Sequence, residues 1–73
     1  MENNIRKIRQ EKGLTIIQLS KLSNTSKAYL YHLENGTRNN PSYDIMKNIA
    51  KSLGKEITDV FILWKLKKTI DNY

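Results

Sequence analysis

The chain has 73 residues, enough for one small domain, and its lack of cysteine excludes disulfides and argues against a zinc finger. A single histidine, His32, cannot make a metal site by itself, so neither a metal nor another cofactor is expected. Thirteen Lys and Arg against seven Asp and Glu give a formal charge of +6, which points to a polyanionic partner or merely keeps the protein soluble.

The start of the chain, Met1-Glu2-Asn3-Asn4 and then a charged amphipathic stretch, lacks the apolar core of a signal peptide. The longest apolar run, Val60 to Trp64, falls far short of the roughly 20 residues that a membrane span needs. A cytoplasmic protein is expected. A domain this small often needs a further staple, and with disulfides and metals set aside a second copy of the chain is the one that remains.

In chain order, Asn4 to Lys12 reads as a first helix, with Ile5 and Ile8 inward and Gly13 as its stop. Thr15 has the character of an N-cap, and Gln18 three residues on completes a capping box. A second helix is predicted from Ile16 to Ser23, burying Ile16 or Ile17, Leu19 and Leu22. Asn24 suits the left-handed backbone of a tight turn. Ser26 then caps a third helix, Lys27 to Asn35, with Leu30 and Leu33 inward and Gly36 past its end. After a polar loop broken by Pro41, Ser42 caps a fourth helix from Tyr43 to Leu53, with an apolar stripe of Ile45, Met46, Ile49, Ala50 and Leu53. A fifth helix is predicted from Ile57 to about Ile70.

The expected fold is therefore all-α: five helices joined by short loops. The informative join lies between the second and third helices. It is very short, and small Ser20 sits on the inner face of the second helix, where it lets the two cross closely and steeply. That is the geometry of a DNA-reading helix-turn-helix, spanning about 16–35.

From Ile5 to Phe61 the chain resembles the Cro/CI-type (XRE) family of helix-turn-helix regulators, which include phage and mobile-element repressors. The resemblance rests on Ile5-Arg6, Arg9, Lys12-Gly13-Leu14-Thr15, Leu19-Ser20, Ser26, Tyr29-Leu30, Leu33-Glu34-Asn35-Gly36, Asn40-Pro41-Ser42, Ile49-Ala50, Leu53-Gly54 and Phe61. The Tyr-Leu pair and the Asn-Pro-Ser start of the fourth helix look more like the sporulation and biofilm regulators of Gram-positive bacteria than the lambdoid repressors. Two positions depart from the family pattern: Ile16 stands where a glutamine is usual, and Asn24 where a glycine is usual. The resemblance implies a five-helix lambda-repressor-like DNA-binding domain over 1–61, with 62–73 as an extension of the fifth helix.

It also implies site residues. The third helix would be the reading head, placing Lys27, Ala28, Tyr31 and His32 toward base edges in the major groove. Lys27 would donate to guanine O6 and N7, or touch phosphate only. Ala28 would rest on a thymine methyl, or serve only as a helix former. His32 would donate or accept, and Tyr31 would meet a phosphate or a sugar. Phosphate contacts would flank this head at Asn35, Thr37, Arg38 and Asn39, at the backbone of Ile16 and Ile17, and at Ser42. Asn35 also reads as a C-cap. Arg9 and Glu34 look like the family's structural ion pair.

Val60-Phe61-Ile62-Leu63-Trp64 is apolar on every side of a helix. Val60, Phe61 and Trp64 would share a core-facing side with Ile57. Ile62, Leu63, Leu66 and Ile70 would then form a homodimer interface, placing two reading heads on a palindromic double-stranded operator. A membrane-surface helix built on Trp64, Lys65, Lys67 and Lys68 is a rival, set aside because the apolar residues precede the lysines. A further partner, an antirepressor or a toxin, would suit the same surface. The function implied is a DNA-binding regulator, most commonly a repressor. The alternative is an antitoxin-like or partner-binding module. With no cysteine, one histidine and no phosphate-binding loop, an enzyme is not expected.

Overall fold

Apolar residues recurring at helical spacing, bounded by side chains that cap free backbone groups, set the elements. The computed structural model describes residues 3–61. Among them are five helices: α1 (Ile5–Glu11), α2 (Ile16–Ser23), α3 (Lys27–Glu34), α4 (Tyr43–Ser52) and α5 (Ile57–Val60). The start signals act within one turn. Thr15 Oγ1 accepts from Gln18 N at 3.1 Å, and Gln18 Oε1 accepts from Thr15 N at 2.8 Å. Ser26 and Ser42 each cap their helix in the same way, accepting from Tyr29 N and Ile45 N. Each such cap contributes about 1 kcal/mol. Gly13, at φ +70, lets the chain leave α1, with Leu14 N donating to Arg9 O and Gly13 N to Gln10 O.

Every helix contributes to one core. Ile5, Ile8, Leu19, Leu30, Leu33, Ile49, Ala50, Leu53, Val60 and Phe61 are buried together, with Ile16, Tyr29, Ile45, Met46 and Ile57 packed against them. α2 packs on both α3 and α4, and α4 on α5. This arrangement leaves the outer side of α3 free of cover.

Two expectations are corrected. Leu22 is 60% exposed, whereas Ser23 is buried and donates from Oγ to Leu19 O at 2.7 Å. At about 100° per residue, Ile16, Leu19 and Ser23 share one side of α2, and Leu22 falls at its edge. Ile17 is likewise half exposed. The second correction concerns α5, which does not run on through Phe61. Phe61 is extended, at φ −109 and ψ 131, and bridges antiparallel to Asn3. Asn4 N takes the Val60 carbonyl at 2.7 Å, and Asn4 Nδ2 takes Asp59 O at 3.1 Å. The segment before α1 thus claims carbonyls that a longer helix would need for its own next turn. The expected interface residues Ile62, Leu63, Leu66 and Ile70, and Trp64, lie outside the described residues. α2 has the expected limits, α1 is shorter by one residue at each end, and α3 and α4 are shorter by one at the C-terminal end.

Candidate nucleic-acid interface

The join between α2 and α3 is tight because side chains hold it. Asn24 adopts the left-handed conformation, φ 53 and ψ 39, and is the one non-glycine residue with positive φ among the described residues. Its short polar side chain lowers the strain that a Cβ meets there. Ser20 does more than leave room. Its Oγ donates to Thr25 O at 2.6 Å, and Thr25 N returns a bond to Ser20 O at 3.2 Å. Thr25 Oγ1 also donates to Ser23 O. These bonds fix the angle at which α3 leaves α2.

Leu30 and Leu33 face the core, so the opposite side of α3 faces outward. That side carries Lys27 and Ala28, both exposed, Tyr31, 55% exposed, and His32, half-buried. All four candidate base-reading residues therefore share one surface. The Tyr31 and His32 rings stand edge to face, their centroids 5.7 Å apart. No acidic residue lies in the first turn of α3 or of α2, so the positive ends of both helix dipoles are undiminished.

The flanking candidates fall into three groups. Asn35 is the C-cap of α3, and its Oδ1 accepts from both Thr37 N at 3.0 Å and Thr37 Oγ1 at 2.6 Å. Arg38 N donates to His32 O at 3.0 Å, so the loop is tied to α3 while Thr37, Arg38 and Asn39 stay exposed. Ile16 packs its side chain on the core, so Ile16 and Ile17 can offer an anion only their backbone N–H groups, which have no intrahelical acceptor at the start of α2. Ser42 is exposed but commits its Oγ to the cap of α4, and Asp44 in that first turn weakens the pull on an anion.

Behind α3 sits an ion cluster. Arg9 Nε and Nη2 donate to the two carboxylate oxygens of Glu34 at 2.7 and 3.0 Å, a two-pronged pairing. Arg9 Nη1 also donates to Leu14 O at 2.9 Å. The Glu34 side chain is only 3% exposed and that of Arg9 13%. The hydrogen bonds to Glu34 raise the Arg9 pKa above its ordinary value; burial opposes this, and the charge of Glu34 adds to it. Arg6 joins from solvent, its Nε 3.3 Å from Glu34 Oε1. Asn3 Nδ2 donates to Leu33 O at 3.0 Å. Neither Arg6 nor Asn3 stood out as a brace of α3. Arg6 precedes Arg9 by three residues and so shares its side of α1, a signal the sequence did carry. Asn3 gave none, because its partner lies thirty residues away.

The family and the fold are those of known proteins. A helix-turn-helix family profile matches residues 5–60. The chain belongs to the Cro/CI-type (XRE) helix-turn-helix family. It is thus a member of a family of DNA-binding transcriptional regulators, one that is generally non-enzymatic. The chain is 40% identical over 57 residues to the HTH-type transcriptional regulator SlrR of Bacillus subtilis, matching 78% of this chain and 38% of SlrR. It therefore spans well under half the length of that relative. Its fold is similar to SinR, the master regulator for biofilm formation, solved in complex with DNA, with a TM-score of 0.73 at 25% identity over 75% of this chain and 87% of that one. SinR is also solved with the SinI protein, at a TM-score of 0.71 and 26% identity over 74% of this chain and 52% of that one. The restriction-modification controller protein C.AhdI of Aeromonas hydrophila matches at a TM-score of 0.74 and 31% identity, over 80% of this chain and 86% of that one. No helix among the described residues is long and apolar enough to cross a membrane.

Proposed function

We propose that this helix-turn-helix protein recognises a specific double-stranded operator, working in the cytoplasm as a homodimer on a near-palindromic site and acting as a repressor. The observation that carries this reading is the outer side of α3. Lys27, Ala28, Tyr31 and His32 share it, Arg38 flanks it, and the acid nearest it, Glu34, is turned inward onto Arg9. Its likeness to a domain solved on DNA supports the same use. Asn35, Thr37, Arg38 and Asn39, with the α2 backbone at Ile16 and Ile17, would hold phosphates. Ser42 and the start of α4 would contribute less. Two heads on a two-fold axis would meet successive major grooves, about 34 Å apart.

The test is selection of bound sequences from a random duplex pool, with binding of the winner followed against salt. A palindrome with half-sites about one helical turn apart is expected. Lys27→Ala should relax one position in each half and weaken binding by about 1–3 kcal/mol. Absence of any enriched sequence would overturn the proposal. A partner-binding role beside DNA binding draws support from the likeness to SinR in its complex with SinI.

A further inference from the structure

His32 is the single histidine of the chain, and its two ring nitrogens lie in different surroundings. Nδ1 is buried, and no donor or acceptor among the described residues reaches it. The ring is half-buried on the outer side of α3, and Nε2 is not among the buried, unpartnered atoms of the described residues. The residue is held in place: its carbonyl accepts from Arg38 N, and the Tyr31 ring stands edge to face with its own.

A neutral imidazole carries one proton, on either nitrogen. Placed on Nδ1, the proton would be a buried donor with no acceptor, the form of unmet hydrogen bond that folded proteins tolerate least. Placed on Nε2, it meets solvent in the free protein and a base edge in a complex. Nδ1 then keeps only an unmet lone pair, a smaller loss than an unmet donor. The ring is thereby set to donate, and not to accept, on the side that faces outward.

We propose that His32 reads the operator as a hydrogen-bond donor only, through Nε2–H, and selects a guanine in each half-site. Guanine presents two adjacent acceptors in the major groove, N7 and O6. Adenine sets the N6 amino donor beside its N7, and cytosine offers only the N4 donor. Thymine presents one acceptor, O4, beside its methyl group, so a fixed donor favours guanine, with two adjacent acceptors, over the other three bases. The inference rests on the DNA-reading role of α3 and adds to it the polarity of one contact.

Two measurements test it on the full chain. The first is long-range proton–nitrogen NMR of histidine-labelled protein, with the pH raised until the ring nitrogen signals no longer change and the ring is neutral. With one histidine the signals are unambiguous. A pyridine-type Nδ1 and a pyrrole-type Nε2 are expected, and the reverse pattern overturns the proposal. The second replaces each guanine of the selected operator by 7-deazaguanine, which loses the N7 lone pair and keeps its base pairing. The protein should lose about tenfold in affinity at one guanine per half-site, the worth of one hydrogen bond. His32→Asn, whose shorter amide reaches only the Nδ1 position, should show no such loss while keeping the helical circular dichroism of the parent. Insensitivity of the parent, or an equal loss in His32→Asn, also overturns it. Either failure leaves specific DNA binding standing. If no duplex sequence is enriched at all, the DNA-reading role falls and this inference with it.

Discussion

Glu34→Ala tests the frame that holds α3 against α1. The carboxylate is nearly buried and takes two bonds from Arg9 and one from Arg6. Removing it leaves the Arg9 guanidinium, itself only 13% exposed, without a counter-charge. Breaking one side of a buried pair costs about 3–5 kcal/mol. Here the lower end applies, because Arg9 keeps its bond to Leu14 O and Arg6 can turn to water from its half-exposed position. About 3 kcal/mol is a large share of the roughly 4–11 kcal/mol expected for a domain of this size. It corresponds to a fall in Tm of about 12–24 °C. Thermal and urea unfolding followed by circular dichroism, with Lys27→Ala as the exposed control, would measure it. Lys27→Ala should stay within about 0.5 kcal/mol of the parent. Replacing the pair together by Arg9→Met and Glu34→Leu should restore much of the loss, since no lone charge remains buried. Equal melting temperatures for Glu34→Ala and Lys27→Ala would refute the reasoning.

Three further outcomes are expected. Leu19→Ala should destabilise by about 2–5 kcal/mol and Leu22→Ala by under about 0.5 kcal/mol, because the first is fully buried and the second is 60% exposed; similar urea midpoints would contradict the described α2 packing. Asn24→Val places a β-branched residue at positive φ and should cost about 1–2 kcal/mol or more, while Asn24→Gly stays within a few tenths, both read from chemical unfolding. Thr15→Ala removes the Thr15 hydroxyl bond of the α2 capping box and should lower stability by about 1 kcal/mol; an unchanged unfolding midpoint would show that this bond contributes nothing.

The starts of α2, α3 and α4 were legible because Thr15, Ser26 and Ser42 act on N–H groups three residues away. The glycine stops were legible for the same local reason. The set of residues on the outer side of α3 also followed from helical period, once Leu30 and Leu33 were taken as inward. Helical period was a poorer guide on α2. Leu22 is apolar and three residues from Leu19, yet the way α3 and α4 lie against α2 puts Ser23 in the core instead. Hydrophobicity states what would gain from burial, and only the neighbouring helices decide which side is covered.

The all-α fold, the helix-turn-helix join and the basic outer side of α3 could be read from the residues alone, since each rests on contacts within about one turn. Tertiary structure alone decided what depends on distant partners. Asn3 and Asn4 reach Leu33, Asp59 and Val60, and so end α5 where the apolar run promised a longer helix. Arg6 joins Arg9 on Glu34 because α1 lies against the end of α3. Packing, too, buries Nδ1 of His32 away from any partner among the described residues, which no spacing in the chain encodes.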